Sequence, residues 1–267
     1  MSKNKFNDLI LPVCNIALKA GSRIEFFYKL DNKILTKKDN SPLTKADLES
    51  NKIITDELIN LDKEIPILSE EKIIEWNKRR FWKKYWLIDP LDGTKEFINK
   101  NDEFTVNIAL IEDNKPMLGI IYVPVLGIIY FAAKDYGSYK LKTKKNIDDL
   151  SLAKKIFTKE KKITDNIKIM GSRSHSSNNF QEWINNNLTN YEIIKKGSSI
   201  KFCEIAEGNA DIYPRLGPTS EWDIAAGHII LEEAGGNLKD LDNKKILYNK
   251  KENIINPSFI ASCKLQI

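Results

Sequence analysis

The most informative stretch of this sequence is Trp86-Leu87-Ile88-Asp89-Pro90-Leu91-Asp92-Gly93-Thr94-Lys95-Glu96-Phe97. The aromatic and aliphatic residues from Tyr85 to Ile88 predict the end of a buried strand. Pro90 favours an extended backbone at Asp89, so that the two carboxylates of the stretch can leave the strand toward one space. Gly93 and Thr94 then begin a short helix.

Two carboxylates this close repel each other unless a cation lies between them. Oxygen ligands of this kind suit Mg²⁺, and the backbone N–H groups of Gly93 and Thr94, at a helix N-terminus, would bind an anion at the same point. The arrangement therefore predicts a metal-dependent phosphate site. Spacing alone leaves a second interpretation open, because Asp-Pro and Asp-Gly are common turn dipeptides and an Asp before Gly-Thr can cap a helix.

Two strings in the chain resemble signatures of a known family. The first string is Asp89-Pro90-Leu91-Asp92-Gly93-Thr94. It resembles the first signature of the inositol monophosphatase superfamily, a group of lithium-sensitive Mg²⁺-dependent phosphatases. The continuation Lys95-Glu96-Phe97 resembles one branch, the CysQ-type 3′(2′),5′-bisphosphate nucleotidases. The second string is Glu221-Trp222-Asp223-Ile224-Ala225-Ala226-Gly227. It resembles the superfamily's C-terminal Trp-Asp signature. Both strings occur in the family's order, and the resemblance covers nearly the whole chain.

The resemblance implies a metal-dependent hydrolase with two or three Mg²⁺ ions in each site. The implied metal ligands are Glu70, Asp89, the Leu91 carbonyl, Asp92 and Asp223. Glu70, Asp89 and Leu91 would hold one ion, and the three aspartates would hold a second. The implied chemistry is two-metal in-line displacement by water, without a covalent phosphoenzyme. The implied catalytic residues are Glu70 and Thr94, which orient the water, and Asp47, which assists Thr94.

Several of these acids also allow a simpler local interpretation. Asp47 lies three residues after Thr44, so that the pair fits a capping-box variant at the start of a helix. Glu70 and Glu71 could favour the positive end of a helix that begins at the preceding serine, and Asp223 could be only a helix N-cap. In the family, the Asp of a Ser-Pro-x-Thr-x-Ala-Asp stretch and the Glu of a Gly/Ser-Glu-Glu stretch face the metal site, which favours the functional roles.

Weaker motifs predict where a second phosphate would bind. Ser198 at the entry of a helix, with Lys201 one turn on, makes an anion pocket, and Arg215 could add a guanidinium. The alternatives are an N-cap serine and two surface cations. His175, in the string Gly171-Ser172-Arg173-Ser174-His175, is a further candidate. The predicted substrate-binding residues are Glu70, Leu91, Asp92, Gly93, Thr94, Asp223, Ser198, Lys201, Arg215 and His175.

The pattern of apolar runs predicts the fold class. Residues 104–141 contain consecutive short runs joined by turns, which indicate an antiparallel sheet. The Lys-rich segment 142–162 places a boundary between an N-terminal domain with the main metal motif, 1–144, and a C-terminal domain, 145–267. In the second half strands and helices alternate, which is typical of an α/β layer. The predicted class is α/β with an α+β first half, and the family's layered αβαβα sandwich fits both halves.

Composition excludes several classes of protein. The chain has 267 residues, 42% hydrophobic and 30% charged, which is typical of a soluble globular protein with a sizeable core. The net charge of +5 comes from scattered lysines and gives only a mild bias toward anionic ligands. Three dispersed cysteines predict neither a disulfide framework nor a zinc site. No apolar run approaches the length of a membrane span, and the first residues lack a signal-peptide pattern.

The partners follow from the same observations. The segment Trp76–Trp86 interleaves aromatic and basic residues, which could stack on single-stranded nucleic acid, but the favoured interpretation is an exposed hairpin with solvated charges. We therefore expect a small nucleotide bisphosphate as partner, with no nucleic acid and no integral membrane segment. The expected location is cytoplasmic, or peripheral on the cytoplasmic face of the inner membrane, and the expected assembly is a monomer or homodimer.

The predicted function is that of a Mg²⁺-dependent 3′(2′),5′-bisphosphate nucleotidase. Such an enzyme hydrolyses adenosine 3′,5′-bisphosphate to AMP and phosphate, and thereby removes a by-product of sulfate activation. The nearest alternative is an inositol or sugar phosphatase of the same superfamily, against which Lys95-Glu96-Phe97 argues. A distant alternative is a non-catalytic nucleotide- or RNA-binding module, against which the intact acidic set argues.

Overall fold

The computed structural model describes residues 6–30, 35–36, 42–173 and 178–266. The helices in these ranges are α1 (Asn7–Tyr28), α2 (Lys45–Leu61), α3 (Trp76–Arg79), α4 (Thr94–Ile98), α5 (Asn178–Asn187), α6 (Ile200–Ala206) and α7 (Glu221–Glu233). The strands are β1 (Leu35–Thr36), β2 (Pro42–Leu43), β3 (Ile67–Ser69), β4 (Lys84–Asp92), β5 (Thr105–Glu112), β6 (Lys115–Val123), β7 (Ile128–Ala133), β8 (Gly137–Lys142), β9 (Lys154–Ile156), β10 (Glu160–Lys162), β11 (Ile167–Ser172), β12 (Tyr191–Lys196), β13 (Ile212–Arg215), β14 (Asn237–Asp240), β15 (Phe259–Ser262) and β16 (Lys264–Gln266). Among these helices, none has the length and hydropathy that crossing a membrane requires.

Strands β3 to β9 form a seven-stranded sheet in chain order, and β1–β2 and β10–β16 form separate two-stranded pairs. In the large sheet β3 and β4 are parallel, and all other neighbours are antiparallel. The strand β4 shows why its sequence is one continuous apolar run. Tyr85 and Leu87 pack on one face of the sheet while Trp86 and Ile88 pack on the other, because successive side chains of a strand point to opposite faces and both faces are covered. The predicted antiparallel sheet over 104–141 is confirmed.

Helices α1 and α2 cover the outer face of the large sheet. Ile10, Val13, Ala17 and Ile24 of α1 recur at helical spacing and are fully buried against that face. Pro12 lies inside α1 and not at its start. Helix α1 therefore begins before Pro12.

Helices α6 and α7 separate the large sheet from a five-stranded sheet of order β12-β11-β13-β15-β14. Small residues permit the close approach of the layers. A Cβ added to Gly119 of β6 would lie 2.6 Å from the Ala226 carbonyl oxygen of α7, and one added to Gly227 would lie 2.5 Å from the Phe202 ring of α6. On the far side of the second sheet, α5 buries Ile184 in a third apolar cluster. The layers therefore follow the predicted order αβαβα.

One local expectation needs correction. The segment Trp76–Trp86 is not an exposed hairpin, because it contains α3 and because Arg79 is only 2% exposed. The Lys-rich segment 142–162 contains β9, which extends the large sheet, and β10. The second sheet is mixed, because β15 is antiparallel to both β13 and β14. The division of the chain into 1–144 and 145–267 stays a prediction.

Candidate active site

The first two acids meet because of the parallel register between β3 and β4. Ser69 lies beside Ile88, and the Glu70 N–H donates to the Ile88 carbonyl at 3.2 Å. The chain therefore leaves β3 at Glu70 just where β4 reaches Asp89. Sequence proximity gives no hint of this pairing, which depends on the alignment of two strands.

The end of β4 is irregular, and this irregularity places Asp89 and Asp92 on one site. The pairing with β5 shifts register between these two residues. Gly93, at the N-cap of α4, has φ of +91°, a left-handed value that glycine adopts without strain. From the opposite side, the Ser50 hydroxyl of α2 donates to the Pro90 carbonyl at 2.7 Å and fixes the backbone there.

Asp92 is held by two neighbours that the sequence analysis did not identify. The Ser199 hydroxyl donates to Asp92 Oδ2 at 2.6 Å, and Asn107 of β5 donates to the Ser199 oxygen at 2.7 Å and to Asp92 Oδ2 at 3.3 Å. Asn107 could have been found, because a buried amide in the apolar run of β5 needs a partner. Ser199 is adjacent to the predicted Ser198 and carries no signal of its own.

Asp223 comes from the first turn of α7, which packs across the large sheet. It occupies position N3 of a capping box, and its Oδ2 accepts from the Ser220 N–H at 2.9 Å. Ser220 is the N-cap, so the interpretation of Asp223 as an N-cap is wrong by position. The capping bond fixes the side chain that the resemblance assigns to the metal.

Asp47 combines the two interpretations that the sequence left open. Its Oδ2 accepts from the Thr44 N–H and hydroxyl at 2.7 and 2.6 Å, which completes a capping box at the start of α2. Its Oδ1 accepts from the Thr94 hydroxyl at 3.1 Å, across 47 residues of chain. The Thr94 hydroxyl also lies 3.4 Å from the Leu91 carbonyl oxygen. One carboxylate therefore caps a helix and orients the hydroxyl that the resemblance assigns to catalysis.

The acids strongly perturb one another. Burial raises the pKa of Asp89 well above its ordinary value, and the charges of Glu70, Asp92 and Asp223 raise it further. The pKa of Asp223 is also raised well above its ordinary value, first by burial and then by the charge of Asp92. Burial raises the pKa of Asp92 as well, against the opposing effects of the Ser199 hydrogen bond and the Lys201 charge. A cation would remove this mutual repulsion.

The donor chemistry fits Mg²⁺, since buried carboxylates, a backbone carbonyl and a hydroxyl are the hard oxygen ligands that this ion takes. Within residues 6–30, 35–36, 42–173 and 178–266, no group of three or more acidic, histidine or cysteine side chains is already arranged to hold a metal ion. Small side-chain movements would be needed to close a ligand shell. The ligand roles of Glu70, Asp89, Leu91, Asp92 and Asp223 therefore stay predictions.

A cavity of about 320 Å³ opens on this cluster. Predicted residues that line it are Glu70, Asp92, Gly93, Thr94, Ser198, Lys201, Arg215 and Asp223. Asp89 and Leu91 lie beneath it, 2% and 1% exposed. The acidic cluster and the predicted second-phosphate residues therefore share one cavity. His175 lies outside the described residues.

The cationic side of the cavity, which contains Lys201 and Arg215, does not consist of exposed surface cations. Lys201 is only 5% exposed, so its interpretation as a surface cation is wrong. Its ammonium donates to the Ser198 carbonyl at 2.5 Å and to the Lys196 carbonyl at 3.3 Å. Ser198 precedes α6, whose N-cap is Ser199. Among the described residues, neither the buried Ser198 hydroxyl oxygen nor Nε of Arg215 has a hydrogen-bond partner. Buried polar groups of this kind need a ligand or water.

The fold and this site define the class of protein. Residues 9–264 match the sequence profile described as the Inositol monophosphatase family, and the chain belongs to that family. Among curated relatives, the 3′(2′),5′-bisphosphate nucleotidase CysQ of Salmonella typhimurium is 41% identical over 253 residues, which cover 94% of this chain and 98% of that protein. The protein of the same name from Buchnera aphidicola is 38% identical over 265 residues, with coverages of 97% and 95%.

Solved structures agree with this placement. The crystal structure of CysQ from Bacteroides thetaiotaomicron superposes with a TM-score of 0.87 at 38% identity, and the match covers 99% of this chain and 100% of that one. The Thermotoga maritima inositol monophosphatase gives a TM-score of 0.74 at 22% identity, with coverages of 93% and 89%, which establishes the shared fold alone. The predicted family, its layered fold and the resemblance to the CysQ-type branch are confirmed.

Proposed function

We propose that this chain is a phosphoric monoester hydrolase of the 3′(2′),5′-bisphosphate nucleotidase type, which converts adenosine 3′,5′-bisphosphate to AMP and phosphate. The observation that carries the substrate is the shared cavity, in which the acidic cluster faces Ser198, Lys201 and Arg215. One side suits a cation and the phosphate to be cleaved, while the other suits a second anion. The CysQ relatives described above bear the same activity in their names.

Glu70, the Leu91 carbonyl and the three aspartates would hold Mg²⁺ in the proposed site. When bound, the ion supplies a Lewis acid that generates a nucleophile from water near neutral pH and stabilises the leaving oxygen. The contribution of the chain is to hold the carboxylates in place before substrate arrives. The capping bond to Asp223 and the Ser199 bond to Asp92 serve this purpose.

The attacking water would be oriented by Thr94 and Glu70. Because the Thr94 hydroxyl donates its proton to Asp47, its lone pairs are left to accept a hydrogen bond from the water. Asp47 is 1% exposed and is fixed by the capping box, so it holds the hydroxyl in one rotamer. Gly93 and Thr94 line the same cavity, and their N–H groups would bind the phosphate.

The phosphate that is not cleaved would lie against the other side of the cavity. The Ser198 hydroxyl and Arg215 Nε, which have no hydrogen-bond partner within the described part of the chain, could donate to it, and the buried ammonium of Lys201 would add positive charge. An inositol monophosphate has no second phosphate to use these groups. This difference favours the bisphosphate substrate over the superfamily alternative.

The experiment is a phosphate-release assay with the purified chain on adenosine 3′,5′-bisphosphate, inositol 1-phosphate and fructose 1,6-bisphosphate, with Mg²⁺ or with EDTA. We expect rapid release from the adenosine substrate in Mg²⁺, AMP as the nucleoside product, and no release in EDTA. Adenosine 3′-phosphate as product would reverse the assignment of the two phosphate positions. Faster hydrolysis of inositol 1-phosphate would overturn the substrate in favour of the superfamily alternative.

The cytoplasmic location, the role in sulfur metabolism and the choice between monomer and homodimer remain part of the proposal. Equilibrium sedimentation of the purified chain measures the last of these directly. Fractionation of cells that express the chain measures the first.

A further inference from the structure

One turn of the chain, Gly197–Ser199, contacts both sides of the cavity. Ser198 has φ of +44°, a left-handed backbone that is uncommon for a residue with a side chain, and its hydroxyl lines the cavity. The next residue, Ser199, donates to the carboxylate of Asp92. Such strained backbone persists only where the surroundings impose it, and it concentrates at functional sites.

Glu103 imposes this conformation from the large sheet. Its Oε2 accepts from the Gly197 N–H at 2.8 Å. The turn also lies directly on the segment that carries Glu103, because a Cβ added to Gly197 would lie 2.6 Å from Glu96 Cγ and 2.8 Å from the Glu103 carbonyl oxygen. Only glycine fits at this position.

The side chains of Arg173 and Lys196 hold the Glu103 carboxylate in place. Arg173 donates from Nε to Glu103 Oε2 at 2.6 Å and from Nη2 to Glu103 Oε1 at 2.7 Å, and Lys196 Nζ lies 3.6 Å from Oε1. Burial alone would raise the pKa of Glu103, but the bonds from Arg173 and from the Gly197 N–H, together with the two positive charges, lower it below its ordinary value. The carboxylate is therefore charged at neutral pH.

The pair joins the large sheet to the second sheet. Glu103 precedes β5 of the large sheet, whereas Arg173 follows β11 and Gly197 follows β12 of the second sheet. The side chain of Glu103 is 10% exposed and that of Arg173 is 45% exposed. The ion pair is thus anchored at the buried carboxylate, where its hydrogen bonds are strongest.

We propose that Glu103 is a positioning residue, which holds the Gly197–Ser199 turn in its strained conformation so that Ser198 faces the substrate and Ser199 aligns Asp92. The substrate side of this inference rests on the proposed function. Arg173 contributes by fixing the carboxylate, and therefore belongs to the same device. Glu103 itself contacts neither the reacting atoms nor the metal site.

The test compares Glu103→Gln with a matched control, Glu233→Gln. Glu233 is also a 10% exposed carboxylate that binds a turn: it accepts from the N–H groups of Asp135 and Gly137 at 3.1 and 3.0 Å and pairs with Lys134. This second clamp lies at the turn between β7 and β8, away from the cavity. Both variants keep the side-chain shape and remove one charge.

Two readouts separate positioning from general stability. Loss of a charge-assisted bond predicts that Glu103→Gln lowers kcat/KM for adenosine 3′,5′-bisphosphate by about tenfold, while Glu233→Gln changes it by less than about twofold. Without any substrate, hydrogen–deuterium exchange in peptides covering 196–202 should become faster in Glu103→Gln only. In Glu233→Gln the faster exchange should instead appear in peptides covering 133–138.

A double-mutant cycle tests the path through Ser199. If Glu103 acts through that hydroxyl, Glu103→Gln combined with Ser199→Ala should lose no more activity than the worse single variant. Arg173→Lys keeps the positive charge but not the two parallel hydrogen bonds of the guanidinium. It should therefore speed hydrogen–deuterium exchange in the same peptides as Glu103→Gln, but by a smaller factor. These variants are conservative and are expected to fold.

Each outcome decides the proposal. The positioning role would be overturned if the activity losses of Glu103→Gln and Ser199→Ala multiplied in the double variant. It would also be overturned if hydrogen–deuterium exchange over 196–202 were unchanged in Glu103→Gln. If the wild-type chain does not hydrolyse adenosine 3′,5′-bisphosphate, the proposed function fails, and the exchange comparison alone then decides whether Glu103 holds the turn. Equal activity losses in Glu103→Gln and Glu233→Gln would reduce Glu103 to an ordinary stabilising residue.

Discussion

At the scale of single residues, the acidic side chains of the candidate site repel one another, and the same side chains are the ones proposed to hold a cation. Asp89 is surrounded by Glu70, Asp92 and Asp223, and burial together with their charges raises its pKa. Without a cation, such a cluster lowers its own repulsion by retaining protons. A divalent cation would replace those protons, so that metal affinity and pH must be linked in this site.

Asp89→Asn tests this linkage. The substitution removes a charge that two cations would share, so hydrolysis should fall by orders of magnitude while the fold survives. In EDTA the free energy of unfolding should stay equal or rise, because repulsion among the acids falls. Phosphate release and urea unfolding measure the two effects, and Asp149→Asn, which changes an exposed acid, is the control. Mg²⁺-dependent hydrolysis near the wild-type rate would exclude a bridging role for Asp89.

The raised pKa of Asp89 also sets the sign of a pH effect. A folded-state pKa above the ordinary value of 3.8 means that the folded chain binds more protons than the unfolded chain at pH values above 3.8. The metal-free wild type should therefore gain stability as the pH falls from neutrality toward that value. In Asp89→Asn the slope should be smaller. Urea unfolding in EDTA at several pH values measures it, and equal slopes in both proteins would contradict the assignment.

The lowered pKa of Lys201 predicts that substrate affinity depends on pH. Burial lowers its pKa to about 8, against the opposing charge of Asp92. The ammonium is therefore present at pH 7 and is lost as the pH rises through about 8. KM for adenosine 3′,5′-bisphosphate should rise in that range. Lys201→Arg keeps its charge, so its KM should stay flat there, whereas a rise of equal size in both proteins would assign the effect to another group.

Thr94 separates two functions within one residue. Thr94→Ala removes the hydroxyl that Asp47 holds but keeps the backbone N–H that would bind phosphate. We expect kcat to fall roughly 10²–10⁴-fold, with a much smaller change in KM. Thr94→Ser restores the hydroxyl and is the matched control. A pure rise in KM would make Thr94 a binding residue and not an orienting one.

At the scale of elements, a buried arginine connects the two segments that deliver Glu70 and Asp223. Arg79 of α3 donates to the Ile74 carbonyl at 3.1 Å and to Asn249 Oδ1 at 2.6 Å, and also to the Glu252 carbonyl. The Asn249 N–H donates to both carboxylate oxygens of Glu221, the first residue of α7, at 2.9 Å. The segment after β3 and the start of α7 are thereby joined through Arg79, Asn249 and Glu221.

Arg79→Lys should therefore lower the free energy of unfolding by about 1.5–3 kcal/mol, because lysine cannot form the several hydrogen bonds of the guanidinium fork. The neighbouring Arg80 is exposed, and its guanidinium lies 4.6 Å from the centroid of the Phe81 ring. Arg80→Lys is the control and should change stability by less than about 0.5 kcal/mol. Urea unfolding measures both variants. Equal effects would mean that the buried network contributes nothing of its own.

At the scale of the whole molecule, the candidate site lies where the layers meet. Glu70, Asp89 and Asp92 come from the large sheet, Asp223 comes from the helix layer, and the anion side comes from α6 and the second sheet. Each layer holds its part through its own packing, but no layer contains the whole site. Binding of cation and substrate should therefore stabilise the contact between the layers.

The fragment 1–144 tests how far the N-terminal half depends on the rest. It lacks α7 and β9, so Tyr85, Leu87 and Ile121 on the inner face of the large sheet would be exposed to water. We expect this fragment to aggregate or to remain partly unfolded, as measured by circular dichroism and sedimentation. A cooperative thermal transition like that of the full chain would contradict this expectation and support the predicted boundary as a folding unit.

The sequence by itself determined the features that depend on neighbours within one turn or one strand. The apolar run before Asp89, the capping box at Thr44 and Asp47, and the strings of the family signatures were all visible in the printed residues. Local geometry also explains how Asp47 can complete the capping box and still contact Thr94: a capping acid keeps a second oxygen for other partners. Such contacts span three or four positions and need no knowledge of packing.

The tertiary structure decided the contacts that join distant parts of the chain. The Ser199 bond to Asp92 spans 107 residues and the Gly197 bond to Glu103 spans 94, and neither leaves a trace in the local pattern. The burial of Lys201 and Arg79 likewise depends on which layers close over them, and Arg79, expected in an exposed hairpin, is internal. Helix and strand periods fix which face a residue occupies, whereas the register of sheets and the packing of layers fix what that face meets.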